Sequence, residues 1–144
     1  MLPVPLLEIA VDGYMWNLHA EHLGQHGQLR LRHTDVDNPP HGREVHWNSA
    51  FAWYLRALGE AHRAVTGDAL RNSISRMSVW ANPLLLCVFL AGAALLTARR
   101  FGLLAGGVLA CGMLVHPPFF EAFMAANPDH HGIAATRSAA AAIP

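Results

Sequence analysis

The stretch from Val79 to Ala98 carries no charged residue, and a helix of about 20 residues at about 1.5 Å each matches a hydrocarbon core of about 30 Å. Such a segment has two stable destinations, a large helical core or a lipid bilayer. Buried helices of soluble proteins seldom stay charge-free for so long, so the bilayer is the stronger expectation. Asn82 is placed to cap this helix and Pro83 to take its first position. Arg99 and Arg100 then interrupt, and a second apolar run follows from Phe101 to Val115. Phe119, Phe120 and Phe123 extend that run toward an interface. Gly102, Gly106 and Ala110 recur every fourth residue, which makes a flat, small-residue face suited to close packing on the first helix. The pattern predicts a membrane hairpin with helices at about 79–98 and 101–118.

Around this hairpin the chain divides into a polar segment, 1–78, the apolar segment, 79–126, and a last segment, 127–144, that ends in low-complexity sequence. The polar segment holds three of the four tryptophans and most of the charge. Over the whole chain the cations are all arginine and balance the acids to a formal net charge of zero. A nucleic-acid binder needs a cationic surplus for phosphate contacts, so that class is disfavoured. Cys87 and Cys111 lie in apolar runs and act as small hydrophobes. The N-terminal MLPVPLLEIA is broken by Pro3 and Pro5 and is too short to span a membrane. Arg99 and Arg100 favour a cytoplasmic hairpin turn, whereas Arg63, Arg71 and Arg76 pull the opposite way, so charge alone leaves orientation open.

Helices are expected near 9–26 and 49–66. In the first, His19, His22 and His26 share one face at spacings of three and four, a row that can bind zinc or lie as a solvated stripe. The second starts at Asn48 or Ser49 as a cap, with Phe51, Leu55 and Leu58 on one face. Between them, residues 33–49 are rich in turn formers and read as loop. That loop contains Asp35-Val36-Asp37, which resembles the metal-binding pair of soluble nucleotide-sugar transferases, yet no alternation of strands and helices surrounds it. After the hairpin comes Pro128-Asp129-His130-His131. In an extended backbone Asp129 and His131 project to the same side and can grip one divalent ion; a polar helix exit is the plainer alternative.

The order of these features resembles the N-terminal part of membrane glycosyltransferases of the oligosaccharyltransferase catalytic-subunit type. The resemblance rests on Asp12-Gly13-Tyr14 with Trp16, a Pro/Gly loop ending in HWNSAFAWYL, a helical hairpin, and PDHH. It implies an all-α, partial GT-C fold: a membrane helical hairpin following a polar extracytoplasmic loop region with one or two helices. It also implies that Asp12 and the Asp129–His131 motif hold a divalent metal, Mg or Mn, with His131 standing where the family has a second acid. Asp12 would orient the acceptor nucleophile. The donor would be a sugar on a polyprenyl phosphate or pyrophosphate carrier, with no acceptor specified, and the location a bacterial inner (plasma) membrane with the Arg99–Arg100 turn cytoplasmic. The family has many more membrane helices and a later acceptor-binding domain, so this chain is expected to be an N-terminal portion, inactive alone. The alternative is a small non-catalytic membrane protein whose histidines bind metal.

Overall fold

The computed structural model describes residues 11–23, 28–35, 38, 40–46 and 48–125, with Val11, Asp12 and Pro118 described by backbone alone. Helices dominate: α1 (Val11–His22), α2 (Ala50–Thr66), α3 (Leu70–Phe101), α4 (Leu103–Leu114) and α5 (Pro117–Glu121), with two short strands, β1 (His33–Thr34) and β2 (Arg43–Glu44). These residues fall into two compact units, one running through Ala81 and the other from Asn82 to Ala125.

In the first unit α1, α2 and the first turns of α3 enclose a small core. Phe51, Leu55, Leu23 and Ile74 are fully buried, each worth about 1.5–3 kcal/mol of apolar transfer. Trp16 meets Phe51 edge to face, ring centroids 5.3 Å apart, an arrangement that aligns the positive ring edge with the negative ring face. Gly59 lets α2 and α3 approach closely, since a Cβ there would lie 2.5 Å from Ile74 Cγ1. Tyr54 reaches across to donate its hydroxyl to the Ala81 carbonyl at 2.8 Å. Arg56 leaves α2 to cover the C-terminal end of α1, its guanidinium donating to the carbonyls of Ala20, Glu21 and Leu23. Carbonyls of a last helical turn accept from such side-chain donors, and a cation there also complements the helix dipole.

Of the two caps expected for α2, Ser49 takes the position and Asn48 makes the bond to the helix start. Ser49 occupies the N-cap position without a side-chain capping bond; its hydroxyl instead accepts from the Leu31 N–H at 3.1 Å. Asn48 Oδ1 accepts from the Ala50 N–H, so the loop before the helix takes the hydroxyl and the preceding amide serves the helix start. The helix ends at Gly67, whose φ of 74° lets its N–H return to the Arg63 carbonyl, the usual left-handed stop. The 33–49 region is largely irregular, as expected, but it contains one antiparallel bridge pairing His33 with Glu44 and Thr34 with Arg43. Asn38 and Gly42, both at positive φ, turn the chain between the strands.

The expected start of the apolar helix at Asn82 and Pro83 is overturned. α3 begins at Leu70 and carries Pro83 inside it. The reason is tertiary: Ile74 and Ser78 are buried in the first unit, and that packing outweighs the backbone hydrogen bond a proline forfeits. Asn82 is no cap; its amide donates to the Ala122 carbonyl.

In the second unit the chain reverses at Gly102, φ 92°, and α4 returns along α3. Gly106 is buried at the contact, where an added Cβ would stand 2.7 Å from the Ala94 carbonyl oxygen and 2.9 Å from Ala98 Cβ. The Gly102–Gly106–Ala110 face therefore acts at its centre, while Gly102 serves the turn with open space around it. The return arm is not one helix to residue 118. His116 is extended, with ψ 107°, because a residue preceding proline avoids the helical region, and α5 restarts on Pro117. Phe119 stacks between Phe89 and Phe123, with centroids 5.9 and 5.0 Å away.

Candidate functional site

The expected metal set is reached only in part. Asp12 lies near the N-terminus of α1, where the structure describes its backbone; Asp129 and His131 lie outside the described residues. Of the histidine row, His19 is buried with its ring 5.8 Å from that of Trp16, which corrects the expectation of a solvated stripe: this face of α1 is turned into the core. His22 is half-buried and His26 lies outside the described residues. Among the described residues no group of three His, Cys, Asp or Glu side chains is placed to hold a metal ion. Asp35 is an exposed loop acid that accepts from a histidine, while Val36 and Asp37 lie outside the described residues.

The polar feature that α1 does build is a cleft against the start of α3. Tyr14, Asn17, Leu18 and Glu21, spaced three and four apart, present one helix face to Arg71, Asn72 and Ser75, and together they line a space of about 320 Å³. The Arg71 guanidinium spans the mouth to Glu21 at 3.5 Å. Deeper in, Asn17 Nδ2 donates to Ser78 Oγ at 3.2 Å, and Ser78 in turn donates to the Ser75 carbonyl at 2.9 Å. The walls thus offer a guanidinium, a carboxylate, two amides and a phenol ring, the flat bidentate groups and aromatic face that suit a neutral, polyhydroxylated ligand. The α1 half of this cleft has a legible signal in the 14–17–18–21 spacing. Its α3 half does not, because Arg71 to Ser75 reads as the flank of an apolar helix.

A second charged cluster sits on the strand pair. His33 bonds through Nδ1 to Glu44 Oε1 and through Nε2 to Asp35 Oδ1, both at 3.0 Å. Carboxylates only accept, so the two bonds form together when both ring nitrogens carry protons. The Glu44 hydrogen bond, followed by Asp35, raises the His33 pKa above its ordinary 6.5. The two acids bind opposite edges of the ring, a geometry that holds a proton rather than a shared metal. In the core, burial pushes the Tyr54 phenol up.

The apolar face is extensive. α3 is long and apolar enough to cross a membrane, whereas α4 is apolar but shorter. From Trp80, exposed at the polar end of the apolar run, to Arg99 the α3 axis extends about 28 Å at about 1.5 Å per residue, close to the thickness of a hydrocarbon core. Val88, Leu95, Leu96 and Val108 are all exposed along the hairpin. No family model matches the chain, and no curated protein or solved structure matches it either.

Proposed function

We propose that residues 82–122 form a hairpin crossing a bilayer, and that the chain is the N-terminal portion of a transferase moving a sugar from a polyprenyl-phosphate or pyrophosphate carrier to an acceptor. The observation that carries this reading is the return of the apolar hairpin on itself. Gly106 against Ala94 and Ala98, and Asn82 bonded to Ala122, bring the two ends of the hairpin to one level. On this reading the segments before and after the hairpin lie on the same side of the bilayer, which is the side the proposal gives to Asp12 and the Asp129–His131 motif. That side is assigned to the outside of a bacterial plasma membrane, with Arg99 and Arg100 in the cytoplasm. Two carboxylates and an imidazole form a donor set suited to Mn²⁺ more than to Mg²⁺, since imidazole favours the more borderline ion. Such an ion supplies charge neutralisation to a departing phosphate. Asp12 orients the acceptor hydroxyl or amide, and the Tyr14–Arg71 cleft between the same helix and α3 holds a sugar through its flat polar groups.

The test is directional labelling. In a chain with Cys87 and Cys111 replaced by Ala, Tyr14→Cys and Asp129→Cys should react with a membrane-impermeant maleimide from one side of sealed vesicles, and Phe101→Cys from the other. Reaction of Tyr14→Cys and Asp129→Cys from opposite sides would overturn the shared surface. Unchanged Mn²⁺ binding by the full chain after Asp12→Ala and Asp129→Ala would remove the metal assignment.

A further inference from the structure

The only charged side chains between Val79 and Phe120 are Arg99 and Arg100, and both are exposed at the tip of the hairpin. Neither forms an ion pair among the described residues. The nearest acid in sequence, Glu121, belongs to the opposite end of the hairpin, next to the Ala122–Asn82 bond. Arg100 holds its guanidinium carbon 6.0 Å from the Phe101 ring centroid. Beyond the turn, Leu103 and Leu104 are 87% and 84% exposed. Among the described residues the tip thus combines two guanidinium groups that form no ion pair with three exposed apolar side chains. A soluble acidic partner would satisfy the charges and leave Phe101, Leu103 and Leu104 in water. A lipid leaflet satisfies both, with acyl chains meeting the apolar trio while phosphates accept from the guanidinium forks.

We propose that the hairpin tip is a binding site for anionic phospholipid headgroups, formed by Arg99 and Arg100 over the wedge of Phe101, Leu103 and Leu104. This rests on the bilayer-crossing reading above. The choice of an anionic lipid follows from charge complementarity: two cations with no acid of their own concentrate negative headgroups, by about fivefold for each arginine at low salt. Arginine rather than lysine suits the role, because its fork grips two phosphate oxygens while its weakly hydrated plane rests on an aromatic ring.

The experiment reconstitutes the full chain in vesicles of equimolar phosphatidylcholine and phosphatidylglycerol, re-extracts it in mild detergent and weighs the retained lipids by mass spectrometry. Wild-type protein should retain phosphatidylglycerol in excess over phosphatidylcholine, and the excess should fall as salt rises. The Arg99→Gln/Arg100→Gln variant should lose most of that excess while still floating with the vesicles, and Arg30→Gln/Arg32→Gln should keep it. An unchanged lipid ratio in Arg99→Gln/Arg100→Gln overturns the tip site and leaves the bilayer reading standing. Wild-type protein that stays in the aqueous phase without detergent overturns the bilayer reading itself.

Discussion

Arg56 shows how one side chain can decide the fate of a helix end. Its guanidinium donates to three carbonyls at the end of α1, and its second nitrogen lies 3.5 Å from Glu60. Arg56→Ala should therefore cost about 2 kcal/mol, the range for charged hydrogen bonds with buried acceptors, read as a lowered thermal midpoint of the detergent-solubilised protein. Arg56→Lys should recover part of the loss, because an ammonium reaches fewer carbonyls at once. His33 makes a pH-dependent contribution of known sign. Its folded pKa is raised above 6.5, so its stabilisation is complete below that value and is lost as pH climbs through the folded pKa. The stability gap between wild type and His33→Gln should accordingly be widest below pH 6.5 and shrink as pH rises above it. Gly42 lies against the same ring: a Cβ there would be 2.5 Å from His33 Nε2 and 2.9 Å from the Thr34 carbonyl oxygen, at a φ of +70°. Gly42→Ala should cost about 1–3 kcal/mol through strain and displacement and should weaken the pH dependence, which titration of the His33 ring by NMR would reveal.

At the scale of the element, glycines with different surroundings should respond differently. Gly106→Ala forces α4 away from the Ala94 carbonyl and should destabilise the hairpin by about 1–3 kcal/mol. Gly107→Ala meets nothing within 4 Å and should be neutral or stabilising by up to about 1 kcal/mol, since alanine is the better helix former. Thermal unfolding of the two variants side by side decides between a packed face and a merely flexible one; equal effects would sink the packing account. The elements themselves are legible to different degrees in the residues. The apolar runs and the α2 face of Phe51 and Leu55 follow from periodicity and composition, which are local. The start of α3 does not, because Asn82-Pro83 is a sound local start signal that loses to the burial of Ile74 and Ser78 by partners distant in sequence. The same holds for His19. Its spacing with His22 marks a shared helix face, but only the packing of Trp16 on Phe51 reveals that the face points inward. The strand pair rests on two residues from each side and on His33 between two acids, a signal too short for periodicity to register.

For the whole molecule the deciding quantity is what surrounds the hairpin. Val88 is 72% exposed in the apolar unit and Leu29 83% exposed in the polar one, so in water an arginine at either place would change stability by no more than about 0.5 kcal/mol. In a bilayer the two diverge. Val88→Arg should oppose insertion by about 3 kcal/mol, while Leu29→Arg should leave it unchanged, and fractionation of membranes from cells expressing each variant provides the measure. Equal behaviour of the two would mean that the apolar face meets protein instead of lipid. Much of the candidate site was not open to the same treatment: Asp12, Asp129 and His131 are bound together by resemblance in the order of motifs, whereas the Tyr14–Arg71 cleft arises from two segments whose meeting no local pattern announces. The shortness of α4 also sets a schedule for biosynthesis. On the proposed bilayer-crossing reading, an apolar arm of 12 residues, about 18 Å long, is shorter than a hydrocarbon core and would enter only alongside α3. On that reading, insertion of the return arm would wait for synthesis of the phenylalanines after His116, and a chain cut before them would cross the bilayer once.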